Sequence, residues 1–141
     1  MYQKTCAQCH RLGDKGLEVG PDLLAVRTRP DETLLVDILD PSGSLSRGYS
    51  VYTVATTDGR VHTGLLAGEN PTSVTLRNAP ASASGPTKPS VVDVAILRRD
   101  IDEMKSLSKS LMPDGLEKQL SLQDLADLIG FLRHSSGPTQ R

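Results

Sequence analysis

Residues 48–66 read GYSVYTVATTDGRVHTGLL, two runs rich in β-branched residues with Asp58-Gly59 between them. An Asp-Gly pair between two extended runs is a strong hairpin signal, because these residues tolerate the backbone conformations that tight turns require. Working outward, Ser73–Leu76 reads as a third strand and Val91–Leu97 as a fourth. Between them, residues 79–90, APASASGPTKPS, consist almost wholly of small residues and prolines and read as a loop. Four or so short strands in this span predict a small twisted sheet or barrel.

On either side the pattern turns helical. Tyr2–Leu12, YQKTCAQCHRL, holds no helix breaker before Gly13 and predicts a short helix, followed by the glycine-rich loop GDKGLEVGPDL at 13–23. In RPDETLLVDILDPSG (29–43), Pro30 suits a first turn and Asp31 and Glu32 suit the positive helix end. Leu34, Leu35, Ile38 and Leu39 give that helix one apolar face, and Asp40-Pro41 stops it. Near the C-terminus, Ser121 with Asp124 has the form of a capping box. The stripe Leu122, Leu125, Leu128, Ile129 and Leu132 then runs out near Arg133 and Gly137-Pro138. The chain thus reads as a discontinuous helical domain, 1–46 with 105–141, interrupted by a β subdomain at 47–104.

Charge excludes some partners. Lys+Arg is 16 against Asp+Glu 17, and both signs are spread along all three segments. No basic field of the kind that phosphate backbones select is present, so nucleic acid is not an expected partner. No apolar run reaches the ~20 residues that span a bilayer, so no membrane span is expected. The opening MYQKTCAQCH has no basic-then-apolar leader pattern. Aromatic residues make up only 3% of the chain, with no Trp. A core this poor in them either rests on Leu and Val or is completed by a flat apolar cofactor.

Both cysteines fall in one run, CAQCH at residues 6–10. Three chemistries use such a run. A redox dithiol wants the motif at the head of a helix that follows a buried strand, and nothing strand-like precedes Cys6. A structural zinc site wants four ligands, yet there is no second cysteine pair, and His62 and His134 lie far apart. Covalent haem attachment needs only what is present: two thiols that each add to a vinyl group, and an adjacent histidine to ligate iron. Chance alone would place the two cysteines and the histidine this way about three times in ten thousand.

With this motif the chain resembles a monohaem c-type cytochrome. The resemblance implies a mainly α cytochrome c-like fold with an inserted small β-sheet or barrel, α+β overall. The loop VGPDL (19–23) is similar to the family's Gly-Pro-x-Leu loop, which implies that Pro21 accepts the proton of His10 through its carbonyl. The segment SKSLMPDGL (108–116) is similar to the distal-ligand loop, implying Met112 as sixth ligand, with Met104, His62 and His134 as alternatives. Arg27 and Arg29 follow the Pro21 loop closely enough to meet a haem propionate. The family's last helix packs across its first with an aromatic at the crossing, for which Phe131 and Tyr2 are candidates, although the first helix here looks truncated.

More closely, VGPDL, ILDP, RGY, DGRVHTGLL and SLMPDGL, in that order, resemble a haem-binding domain found toward the C-terminal end of large secreted bacterial proteins. The likeness covers nearly the full length. It implies covalent haem c, one per chain, and electron transfer from a fused or partner dehydrogenase. It also implies a periplasmic or extracellular location, with a signal peptide upstream, and an electron carrier rather than an enzyme in its own right. A haem-based ligand sensor and a non-haem zinc or disulfide interaction module remain the alternatives. The β-block by itself is also faintly similar to Sm-type or SH3-like small barrels, in shape only.

Overall fold

A computed structural model describes residues 1–80 and 90–135 of the chain. Two compact units are present: Leu45–Leu111, and a unit assembled from both flanks, Met1–Ser44 with Met112–Arg141. Most of the loop read at 79–90 and the expected terminator Gly137-Pro138 lie outside the described residues.

The first unit is a five-stranded antiparallel sheet of β1 (Val51–Thr56), β2 (Val61–Glu69), β3 (Ser73–Asn78), β4 (Val92–Leu97) and β5 (Ile101–Ser106). Its strand order is β4-β3-β2-β1-β5. A 3-10 turn, Arg98–Asp100, joins β4 to β5 at the opposite edge. The β1–β2 turn forms at Asp58-Gly59 as expected. There Thr56 donates its hydroxyl to the Asp58 carboxylate (2.6 Å), and Arg60 reaches back to the same group (2.7 Å). Arg60, the Thr56 hydroxyl and the Arg60 amide together hold the Asp58 carboxyl well below the usual carboxylate range.

Side chains alternate across a pleated strand, so one face collects every second residue. Val54, Val74, Leu76 and Ile96 form the buried cluster on that face, with Tyr52, Leu66, Val94, Ile101 and Met104 packed against it. Val54 and Val74 are fully buried and Leu76 is 1% exposed, so this cluster is the densest part of the unit. Arg77 and Asp93, opposite each other on β3 and β4, pair through two hydrogen bonds (2.9 and 2.8 Å). At the base, the Val51 amide donates to the Lys109 carbonyl and the Leu107 amide to the Val51 carbonyl, each at 2.8 Å.

β5 was not expected from the sequence. In IDEMKS the apolar residues stand three apart, which breaks a period of two. Thr56 pairs with Ile101 while Ala55 pairs with Glu103, so Asp102 is an extra residue in a bulge. The bulge lets both Ile101 and Met104 reach the same apolar cluster.

The second unit holds α1 (Tyr2–Thr5), α2 (Leu23–Val26), α3 (Asp31–Leu39) and α4 (Leu122–His134), with a 3-10 turn at Leu116–Gln119. In α3, Leu34 is buried and Ile38 packs on the core, whereas Leu39 of the expected apolar face is exposed. The Ser121 hydroxyl accepts the Asp124 amide (3.1 Å) and the Asp124 carboxylate accepts the Ser121 amide (2.9 Å), the reciprocal cap that starts α4. Leu125, Leu128 and Leu132 of α4 are buried, and Leu122 faces solvent. Tyr2 and Phe131 bring their rings together, centroids 5.8 Å apart. Arg133 near the end of α4 pairs with Asp31 in the first turn of α3 (2.7 Å).

These observations overturn the expected mainly α cytochrome c-like fold. Helix accounts for 29% and strand for 28% of the described residues, an α+β arrangement with the sheet as its largest regular element. The physical reason lies in both halves. The β-branched segment closes a complete five-stranded sheet rather than a minor insertion. The helical flanks form short pieces, and the helix expected over Tyr2–Leu12 stops at Thr5.

Leu76 lies at the centre of the sheet cluster, so truncation removes buried surface and leaves a cavity. Leu76→Ala is expected to destabilise the sheet unit by about 2–5 kcal/mol. A chemical denaturation curve followed by far-UV circular dichroism on wild type and variant measures this.

Candidate functional site

The CAQCH run continues the chain from α1 as one more helical turn. The Cys6 carbonyl accepts the amides of Cys9 (3.0 Å) and His10 (2.8 Å). Residues three apart on such a turn share a face, which places the two thiols on one side. Cys6 and Ala7 pack against the buried cluster of Tyr2, Leu12, Leu128 and Leu132. No disulfide joins Cys6 and Cys9, and burial pushes both thiols above their ordinary pKa. A redox dithiol needs the opposite shift, toward the thiolate.

The glycine-rich loop folds back onto this turn through a series of backbone hydrogen bonds. Leu17 donates to Ala7 (3.0 Å), Val19 and Gly20 both donate to Cys9 (3.0 and 2.7 Å), and Leu23 donates to Arg11 (2.8 Å). The Tyr2 hydroxyl lies 2.9 Å from the His10 carbonyl oxygen and 3.0 Å from that of Lys15, so one proton serves both ends of the loop. The fit leaves no room for side chains at two glycines. A Cβ on Gly16 would sit 2.0 Å from the His10 carbonyl oxygen, and one on Gly20 would sit 2.6 Å from Cε1 of the His10 ring. Glycine at 20 thus lets the backbone lie directly against the imidazole.

That contact orients the ring. His10 Nδ1 lies 2.8 Å from the Pro21 carbonyl oxygen. A carbonyl only accepts, so Nδ1 carries the proton and a neutral ring leaves Nε2 with its lone pair. Burial lowers the His10 pKa, partly opposed by the Pro21 hydrogen bond, which keeps the ring neutral near pH 7. An imidazole held in this tautomer by a carbonyl is the arrangement that metal-ligating histidines use. The half-buried thiols on one helical face, the cradled ring and the available Nε2 together fit a covalently attached haem.

Other candidates are placed as follows. Met112 is half-buried, in the same compact unit as His10. Met104 lies in the sheet unit, opposite Val54 and packed into the apolar cluster there. His62 stands on β2, also opposite Val54, and His134 directs Nδ1 to the Gly130 carbonyl of its own helix (2.7 Å). Arg27 donates to the Ser135 carbonyl at the end of α4 (2.7 Å), and Arg29 pairs with Asp37. Both arginines are therefore engaged with the protein. Among the described residues, no group of three or more His, Cys, Asp or Glu gathers into a metal site. No helix among them is long and apolar enough to cross a membrane.

Two residues of the site went unnoticed in the sequence. Arg11 directs Nε and Nη2 to Asp22 Oδ2 (3.1 and 2.9 Å), and Nη2 also reaches Glu18 (3.1 Å). The other Asp22 oxygen accepts the Leu24 amide (2.9 Å) and caps α2. Their signal was positional: Arg11 directly follows His10, and Asp22 directly follows Pro21. No family model matches the sequence, and no curated protein matches it.

Gly20→Ala forces the new methyl into the His10 ring and is expected to destabilise the chain by about 1–3 kcal/mol. By contrast, a Cβ at Gly130 meets nothing within 4 Å, so Gly130→Ala in α4 should stabilise by about 0.5–1 kcal/mol. Denaturation midpoints of the two variants, moving in opposite directions, check the pair. Because the folded pKa of His10 lies below the unfolded value of about 6.5, the neutral ring's contribution is complete above that pH. It is lost as the pH falls through the lowered folded value. Stability of the haem-free chain should therefore decline below about pH 6.5, and His10→Gln should flatten that part of a stability-against-pH curve.

Proposed function

We propose that this chain binds haem c covalently and carries electrons. The observation that carries the reading is the His10 ring, with Nδ1 donating to Pro21 and Nε2 available on the turn that also bears Cys6 and Cys9. Haem, when bound, supplies a one-electron ferrous–ferric couple. Each thiol of Cys6 and Cys9 would add S–H across one vinyl double bond, giving a thioether with the hydrogen placed on the neighbouring carbon. His10 would ligate iron through Nε2. The Pro21 carbonyl, by accepting from Nδ1, raises the basicity of that nitrogen and fixes the plane of the ring.

Met112 is the preferred distal ligand, because it shares a unit with His10 while Met104 is packed inside the sheet. The helical unit's own composition also supports a flat apolar partner. Leu23, Leu24 and Ile38, packed against its buried cluster, stay only partly covered and leave apolar surface for such a partner. Held by His10 and Met112, haem would supply one-electron transfer, with electrons arriving from a fused or partner dehydrogenase. With covalent attachment of this kind, the proposed location is the periplasm or the outer surface. The zinc alternative lacks a gathered ligand set among the described residues.

The test is an absorption spectrum, oxidised and reduced, of wild type and Met112→Ala made in a host with c-type maturation. The expected wild-type result is haem that survives denaturation and a low-spin spectrum with the weak far-red methionine–iron band, lost in the variant. Haem absent after denaturation would overturn the reading. A band that persists in the variant would move the distal role away from Met112.

A further inference from the structure

We propose that the Arg11–Asp22 pair is a positioning device that holds the Pro21 carbonyl on His10 and so sets the electron-donating strength of the imidazole. The second half of this statement rests on the haem-binding reading; the first half concerns the folded chain alone.

The argument starts from adjacency. The ring-to-carbonyl contact joins residue 10 to residue 21, and the ion pair joins the very next residues, 11 and 22. A displacement of the loop that lengthened the His10–Pro21 bond would have to stretch the Arg11–Asp22 contact as well. On the other side, the Cys9 carbonyl holds Val19 and Gly20, so the contact is flanked in both directions. The Leu23 amide on the Arg11 carbonyl (2.8 Å) ties the same two segments through the main chain.

The pair is built for orientation more than for net stability. The Arg11 side chain is 42% exposed and that of Asp22 26%, and ion pairs so open to water contribute little to folding. Yet Asp22 uses both oxygens, Oδ2 for two guanidinium N–H groups and Oδ1 for the Leu24 amide. Its carboxylate is thereby fixed between the ligand turn and the first turn of α2, with Pro21 immediately before it. A planar guanidinium holding one oxygen from two directions restricts rotation in a way that a lysine ammonium does not.

The experiment uses the full chain labelled with 15N-histidine, produced with and without haem-attachment machinery. It compares wild type, Arg11→Met, Arg11→Lys and Asp22→Asn. Solvent exchange of the His10 Nδ1 proton is the first readout. Arg11→Met and Asp22→Asn should speed it about tenfold, equivalent to about 1.4 kcal/mol of local opening, with Arg11→Lys between them and wild type. Equal exchange rates in all four proteins, whatever their denaturation midpoints, would overturn the positioning role. Should Arg11→Met fail to fold, Asp22→Asn, which keeps the oxygen that caps α2, carries the comparison.

On haem-loaded protein, the reduction potential should rise in Arg11→Met and return toward wild type in Arg11→Lys, since a looser hydrogen bond leaves a weaker donor to ferric iron. Unchanged potential alongside altered exchange would overturn the electronic half only. A chain that takes up no haem would defeat the functional reading, while the exchange rates still decide the positioning.

Discussion

Everything at the site depends on two neighbouring residues of one helical turn: Cys9, whose carbonyl accepts from the loop, and His10, whose ring donates to the Pro21 carbonyl. The Cys9 oxygen takes both Val19 and Gly20 amides, and this draws residues 17–23 flat against the CAQCH turn. Only then can the Pro21 oxygen meet Nδ1. The cost falls on sequence freedom, since Gly16 and Gly20 stand where any side chain would strike His10. Tyr2 adds a peg from α1, its hydroxyl between the carbonyls of His10 and Lys15 and its ring on Phe131 of α4. A ligand geometry is thus carried by backbone contacts, which vary less with side-chain motion than contacts between long side chains would.

The two compact units hold themselves together differently. The sheet has a self-sufficient apolar face in which Val54, Val74 and Leu76 are essentially excluded from water. The helical unit joins its buried cluster of Tyr2, Leu12, Leu128 and Leu132 to short helices and a dense set of hydrogen bonds between loop and turn. Burial contributes to both; in the second, polar contacts of modest individual strength act beside it. The division explains why low aromatic content is tolerated. Valine and leucine fill a pleated face well, Tyr52 packs against the sheet cluster, and Tyr2 meets Phe131 in the helical unit.

How much of this could be read from residues alone follows from the range of each interaction. Local chemistry was legible: the Asp58-Gly59 turn, the Ser121–Asp124 cap and the α3 segment all form where short patterns indicated. The proline carbonyl beside His10 was expected from resemblance, and it lies 2.8 Å from the ring nitrogen. The weight of the sheet against the helices was misjudged, because β5 hides behind a bulge that breaks alternation and α1 ends after its first turn. The roles of Arg27 and Arg29 depend on distant partners, Ser135 and Asp37, that no local pattern reveals. Arg11 and Asp22 were visible only as ordinary charges until the fold set them side by side.

The hydrogen bonds at the base of the sheet have a topological consequence. Val51 exchanges bonds with Lys109 and Leu107, so the strand that enters the sheet and the segment that leaves it are direct neighbours. An open, flexible excursion would cost loop-closure entropy that grows by about 0.6 kcal/mol with each doubling of length. Here the excursion is zipped shut at its neck, and the polymer beyond the neck no longer enters that account. Leu45–Leu111 thus closes on itself where Val51 meets Leu107 and Lys109. Within that neck the loops between strands can lengthen or shorten without parting Val51 from its two partners.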